Sequence, residues 1–586
     1  MANVKQNPTY RAQNKYYGHD LSQHLEFTSP TGQLLPVYYD VLNPGEKVSI
    51  NTYMKTRTQP LASAAMMKMN EYLEWYFVPI NQIYKPFGNW FYGIQDFGSS
   101  MFIDDDHGVN TKMSEKFPFI SANKIRDFYF AVATTPDASN PPKDTLKGDD
   151  YYSAFVRLAT HLGIDDNSLL DGIDGMDGPY WSITPLLFCA YQKIWMDHYR
   201  ISDRIDNDPR SFNLDQFYKK LVSLDPANST DLNALLQMFE MRYRPLNKDF
   251  YTNNFPSPLF GSQSVGAQEF EQNTAGTLYK VNQWLTSLMG VSTIDSSGDN
   301  NFVLPTTSVI RDIQSNLPAG DFNKANIKTM FATDKLLEIT RRSGKHYDAQ
   351  TLAHFGVEVP DNIEGQSYYL GRSVQELIVG DVISNAATAD APLGEIAGKG
   401  YAVGSGKTIK FDAPCHGVLM CLYSSAPVVD YYQEGLDKLN CLIEKTDYFL
   451  PEYDNLGMQP LFGYQCKIAD NSIDNSKIRG WQYRYYEFKQ KMNRIIGGLK
   501  YTQKHWTVGK SSDTAGFDSS DYYVSPNALG STMLYQYNFG KKLYDGTYLE
   551  GVDNSSQLFE SDPLIHEISF DVRKASEMTT YGLMEL

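Results

Sequence analysis

The chain is short of cysteine, of long apolar runs and of positive charge, and each shortage removes a class of protein. Its 586 residues hold five cysteines (Cys189, Cys415, Cys421, Cys441, Cys466), an odd number without a CxxC pair. Neither a disulfide framework nor a zinc site is indicated, and reduced thiols suit assembly in a cytoplasm. Nowhere does the sequence reach the roughly 18 consecutive apolar residues that span a bilayer, and its first 20 residues lack the apolar core of a signal peptide. No membrane insertion is expected. The net charge of -17 argues against a surface that neutralises phosphate all over, so any nucleic-acid contact must be a local patch.

Motifs that carry catalysis or hold metals are also wanting. Gly404-Ser405-Gly406-Lys407-Thr408 looks like the end of a phosphate-binding loop, but the first glycine of that motif is out of register. The residues after it alternate as a strand where a helix should begin, so a glycine-rich hairpin is expected. Cys415 and His416 are neighbours, which sends their side chains to opposite faces of a strand and spoils a nucleophile–base pair. The carboxylates at Asp104, Asp105 and Asp106, and at Asp171, Asp174 and Asp177, do not follow calcium-loop spacing. His198 has no second metal ligand at helical spacing. No enzyme, metal or cofactor is expected. A carbohydrate-active β-sandwich enzyme or carbohydrate-binding protein is the alternative, although no pair of carboxylates stands out for it.

What the chain has is aromatic side chains, 41 Tyr and 31 Phe, which favour strands and broad contact surfaces. Val48, Ile50 and Thr52 alternate after the turn at Pro44-Gly45. Residues 69–80 place aromatics on both alternating sets, with Tyr72, Tyr76 and Val78 against Leu73, Trp75 and Phe77, as in a strand buried on both faces. Ile409 and Phe411, then Val418, Met420 and Leu422, then Ile568, Phe570 and Val572 alternate again. The spacing of Leu187, Tyr191, Ile194 and Trp195 predicts a helix over 186–205.

The densest local signals lie in 331–372. Leu336 and Ile339 sit three apart on one helical face, and Glu338 stands four residues before Arg342. Arg341 and Arg342 suit the last turn, and Gly344 stops the helix. A second short helix over 348–354 closes at Gly356. It is too short and not basic enough to fill a DNA major groove, which argues against a helix-turn-helix. Two basic clusters remain as candidate contacts to unpaired nucleic acid. One is Arg341, Arg342 and Lys345; the other is Arg484, Lys489, Lys491 and Arg494, interleaved with Tyr485, Tyr486 and Phe488.

Lys335-Leu336-Leu337-Glu338, the turn from Arg342 to Tyr347, His354-Phe355-Gly356-Val357 with Pro360-Asp361, and Tyr369-Leu370-Gly371 follow one another in an order that resembles the major capsid proteins of microviruses. These are the small icosahedral single-stranded DNA phages of the gokushovirus and gut-microvirus branch. Ser343 and Arg372 depart from the family, which often has glycine at both places. Further resemblances run along the chain at Pro36-Val37-Tyr38, at Tyr191 to Arg200 with Asp208-Pro209, and at 249–258. Others are Gly480, Gln482, Arg484, Tyr485 and Glu487, and Met578 with Tyr581-Gly582.

The resemblance implies a mainly β protein, a viral jelly roll (an eight-stranded antiparallel β-sandwich or barrel) with long loop and helical insertions. It divides the chain into an arm (1–30), first jelly-roll strands (31–93) and an insertion with the helix over 186–205 (94–260). A variable, surface-projecting insertion (261–320), a helical segment (321–375), and the remaining strands and tail (376–586) follow. It implies a virion protein, assembled in the host cytoplasm, of which about 60 copies close into an icosahedral shell. Its expected partners are packaged single-stranded DNA, other virion proteins and a host surface receptor, with glycan one candidate.

Overall fold

In the computed structural model the described residues are 16–59, 61, 65–92, 103–104, 108–109, 117–121, 157–164, 182–206, 211–214, 237–258, 324–343, 347–358, 365–383, 396–454, 457–468, 475–511, 522–526, 528–529 and 562–580. Ten strands make one antiparallel sheet. They are β1 (Tyr17–Asp20), β2 (Gln23–Ser29), β3 (Leu35–Leu42), β4 (Lys47–Thr58), β5 (Met69–Pro79), β6 (Tyr368–Ile383), β7 (Ile396–Ser405), β8 (Ile409–Asp412), β9 (Gly417–Pro427) and β10 (Leu564–Ser576). The order is β1-β10-β4-β7-β6-β5-β9-β3, with β8 also on β4 and β2 also on β10.

The sheet curls until its ends meet. Phe570 on β10 lies 5.8 Å from Trp75 on β5 and 5.4 Å from Tyr38 on β3, although β10 and β5 are four positions apart in the sheet. Those rings, with Ile50, Leu73, Phe77, Leu422, Ile568 and Val572, form the main core. The mainly β jelly-roll architecture expected from the sequence is therefore present. Along β4 and β10 buried and exposed residues alternate, because only one face meets the core. Nearly all of β5 and all of β9 are buried, since their outer faces are covered by residues 186–206 and 237–255. That second layer rests on helix α1 (Leu186–His198), whose Phe188, Tyr191, Ile194 and Trp195 are buried. Helix α2 (Lys324–Ser343) and helix α3 (Tyr347–Phe355) precede β6.

Several expectations need correction. The helix over 186–205 ends at His198, where Tyr199 is its C-cap and turns follow. The glycine-rich segment at 404–408 is no hairpin. β7 and β8 both run antiparallel to β4 along one path, Ser405 opposite Tyr53 and Ile409 opposite Ile50, so four residues advance where β4 advances three. That is a β-bulge, and a Cβ on Gly406 would lie 2.1 Å from the Ser373 hydroxyl oxygen. Strand β6 runs through the boundary placed at residue 375, with Leu377 buried but further apolar residues on its other face. Val374, Ile378 and Val382 are exposed, while Gln375 is buried. Residues 17–29 of the arm form β1 and β2, paired with β10. The insertion at 261–320, the carboxylates at 171–177 and Lys345 lie outside the described residues.

Candidate functional site

On the outer face of β5, where α1 ends and α2 docks, a cavity of about 810 Å³ opens. Arg200, Arg204, Arg244, Lys248, Arg341, Arg342 and Arg372 line it against only two carboxylates, Glu74 and Asp203. In a chain of net charge -17 this is a strong local reversal of sign.

Its floor is satisfied internally. Arg244 Nη1 donates to Glu74 Oε2 at 2.6 Å and to Ser424 Oγ at 3.0 Å, and its guanidinium lies 3.7 Å from the centre of the Tyr72 ring. Tyr199 donates its hydroxyl proton to Glu74 Oε2, and Tyr76 donates to Tyr199 at 2.8 Å. Burial works against the charge of Arg244, but the Glu74 carboxylate outweighs it and holds the guanidinium above its ordinary pKa. This pair is a structural element.

The walls are satisfied only in part: Arg204 bonds Asn254 and Arg200 the Ile205 carbonyl. Burial pushes Arg200, Arg204 and Arg341 below the ordinary arginine value, because nearby carboxylates compensate each only in part. Arg341 is 5% exposed; its Nε donates to the Ser257 carbonyl at 3.2 Å, and its Nη1 reaches Asp203 Oδ1 only at 3.4 Å. Its Nη2 is buried without a hydrogen-bond partner, and so is Nε of Arg200. An unpaired buried donor costs about 1–3 kcal/mol, more when charged, so such atoms are suited to an anion that enters from outside. Tyr369, 46% exposed, supplies an aromatic face at the same cavity.

Of the residues singled out in the sequence, Arg341 and Arg342 both line this cavity. Arg342 is also paired with Glu338 on its own helix and lies 5.2 Å from the Tyr483 ring. The second cluster lies elsewhere and is largely engaged with its own neighbours. Lys489 pairs with Asp454 at 2.8 Å and Arg494 with Asp437 at 3.1 Å, while Lys491 donates to the Glu487 carbonyl. Arg484 stacks over Tyr485 at 5.1 Å. Tyr485 and Tyr486 are buried and closed to a stacking base; Phe488 is exposed. Arg200, Arg204, Arg244 and Arg372 were not found from sequence as contacts. They are scattered over 173 positions (372 minus 200 plus 1), and only the fold gathers them. His198, expected to be a partly exposed helix residue, is half-buried and bonded to the Ser367 hydroxyl at 2.9 Å.

The curled antiparallel sheet with helical insertions is a jelly-roll β-sandwich. The chain belongs to the phage family described as Capsid protein (F protein), whose model matches residues 163–582. It is 21% identical over 552 residues to capsid protein VP1 of Chlamydia phage 1, covering 82% of this chain and 83% of that protein. It is 22% identical over 580 residues to capsid protein VP1 of Bdellovibrio phage phiMH2K, covering 94% and 91%. Both phages are gokushoviruses of the Microviridae, and the function of the chain is that of a major capsid protein of a bacteriophage virion. Among the described residues no helix is long and apolar enough to cross a membrane.

Proposed function

We propose that about 60 copies of this chain close into an icosahedral shell around single-stranded DNA, and that the arginine cavity holds a backbone phosphate of that genome. The observation that carries this is the charge of the cavity lining, seven cationic side chains against two carboxylates among the described residues. A phosphodiester fits such a site because its oxygens accept several charge-assisted hydrogen bonds at once. Tyr369 offers an unpaired base a stacking face, which a duplex could not use without opening. Lys345, Arg484, Lys489, Lys491 and Arg494 remain secondary candidates for the same partner. Assembly in the host cytoplasm, contacts with other virion proteins and recognition of a host receptor through 261–320 complete the proposal.

The test combines electron microscopy of the purified chain, looking for closed particles, with binding of a labelled single-stranded oligonucleotide across a salt series. Arg341→Met is expected to weaken binding about tenfold or more, and to flatten the log–log salt dependence by about 0.7. Arg341 also anchors α2, so Arg372→Ala, an exposed position, serves as a second variant with an unchanged thermal midpoint. If neither substitution alters affinity or salt slope, the cavity is not the genome contact.

A further inference from the structure

Within the segment with the densest sequence signals, helix α3 and its cap line neither the core nor the cavity. Helix α3 stands on α2 through Thr340 Oγ1, 3.1 Å from His354 Nε2, and through Gln350, which donates to the Thr340 carbonyl at 2.9 Å. Gly356 ends the helix in the left-handed region at φ 70°, its N–H returning to the Leu352 carbonyl. This cap leaves apolar side chains outside. Leu352 and Phe355, three apart on one helical face, are 48% and 81% exposed, and Val357 is 57% exposed. A phenylalanine held in water by a defined cap forfeits nearly all the free energy its burial would release.

A second surface is unpartnered in the complementary way. Across the outer face of the curled sheet Ile565, Arg57, Tyr401 and Ile378 are successive cross-strand neighbours on β10, β4, β7 and β6. Ile565, Tyr401 and Ile378 are exposed, and so are Val374, Val382 and Val403 around them. Apolar area on three of these strands, with Arg57 of β4 between them, marks a contact surface. The charges match as well. Glu358, exposed, follows the Phe355 knob, whereas exposed Arg57 and Lys399 flank Tyr401 on the sheet face.

We propose that the Phe355 knob of one copy seats on the Tyr401–Ile378 sheet face of a second copy, with Glu358 directed at Arg57. The contact joins two different surfaces, so it is heterologous, and a ring of copies uses every knob and every face when it closes. The inference rests on the assembly of identical copies proposed above. It accounts for the apolar outer face of β6, because Val374, Ile378 and Val382 face out toward a neighbour.

The test places a photo-reactive amino acid at position 355 of the full-length chain, irradiates assembled particles and maps the adducts. Adducts between two copies, on peptides containing Ile378 or Tyr401, are expected. In parallel, Glu358→Lys should lower particle yield about tenfold or more with an unchanged thermal midpoint, and adding Arg57→Glu should restore it. Adducts within one copy, on DNA or on other peptides overturn the proposal, as does unchanged yield in Glu358→Lys or no recovery in the double variant. If the wild-type chain never forms closed particles, the shell reading falls and takes this inference with it. Wild-type particles whose adducts lie elsewhere overturn this inference alone.

Discussion

Removing Arg244 should unfold the covering layer from β5, and the size of the effect can be worked from the site. The Glu74 and Arg244 side chains are 7% and 10% exposed and meet at 2.6 Å. Replacing Arg244 with Leu leaves a buried carboxylate whose remaining donor is the Tyr199 hydroxyl. Breaking a buried pair from one side costs about 3–5 kcal/mol, and we expect that for Arg244→Leu and a similar loss for Glu74→Leu. The double variant carries no buried charge. Its cost is about 2–4 kcal/mol, set by hydroxyls of Tyr199 and Ser424 that lose a partner. The singles therefore sum to more than the double, with a coupling of about 5 kcal/mol. Urea unfolding of the unassembled chain, followed by tryptophan fluorescence, measures all three. A coupling below about 0.5 kcal/mol would refute the reasoning, because the two groups would then act as independent surface charges.

Two further outcomes follow from the core. His566 is buried and neutral, its Nε2 2.8 Å from Ser29 Oγ and its Nδ1 3.0 Å from Thr56 Oγ1, and burial pushes its pKa down to about 3. Below the ordinary value of 6.5 the unfolded chain takes up a proton that the native chain refuses, so this stabilisation is intact above pH 6.5 and lost progressively toward pH 3. The loss is about 2 kcal/mol at pH 5, and His566→Gln should flatten that acid limb in urea titrations across pH; an unchanged limb contradicts it. Glu71 beside it has the opposite sign: burial raises its pKa, so its contribution declines as pH rises past the unfolded carboxyl value. Gly417→Ala should destabilise by about 1–3 kcal/mol, read as a lower thermal midpoint. Its Cβ would lie 2.2 Å from the Phe77 ring and 2.8 Å from the Val78 carbonyl oxygen, neither of which has room to retreat, and a wild-type midpoint would show otherwise.

Local pattern by itself determined a good deal. Alternation marked β4, β8, β9 and β10, the doubly apolar run marked β5 as a strand covered on both sides, and 3.6-residue spacing with capping glycines marked α1, α2 and α3, because each is a property of a few consecutive residues. Ordered motifs carried the family. Strand β6 escaped notice since apolar residues lie on both of its faces, Val374, Ile378 and Val382 outward and Leu377 and Val379 inward beside a buried Gln375, which hides the period of two. The bulge at Gly406 read as a hairpin because glycines signal a change of path without saying whether the chain turns back.

Only the tertiary structure decided which charges matter. Arg341 and Lys489 look alike in the sequence, yet one is buried beside a cavity with a nitrogen lacking a hydrogen-bond partner and the other is paired at the surface with Asp454. Whether an arginine is spent on its own chain depends on side chains tens or hundreds of positions away, and that proximity is set by the curl of the sheet and the packing of residues 186–206 and 237–255 on β5. The same holds for Phe355, whose motif is plain in the sequence but whose exposure appears only once the rest of the chain has folded and left it uncovered.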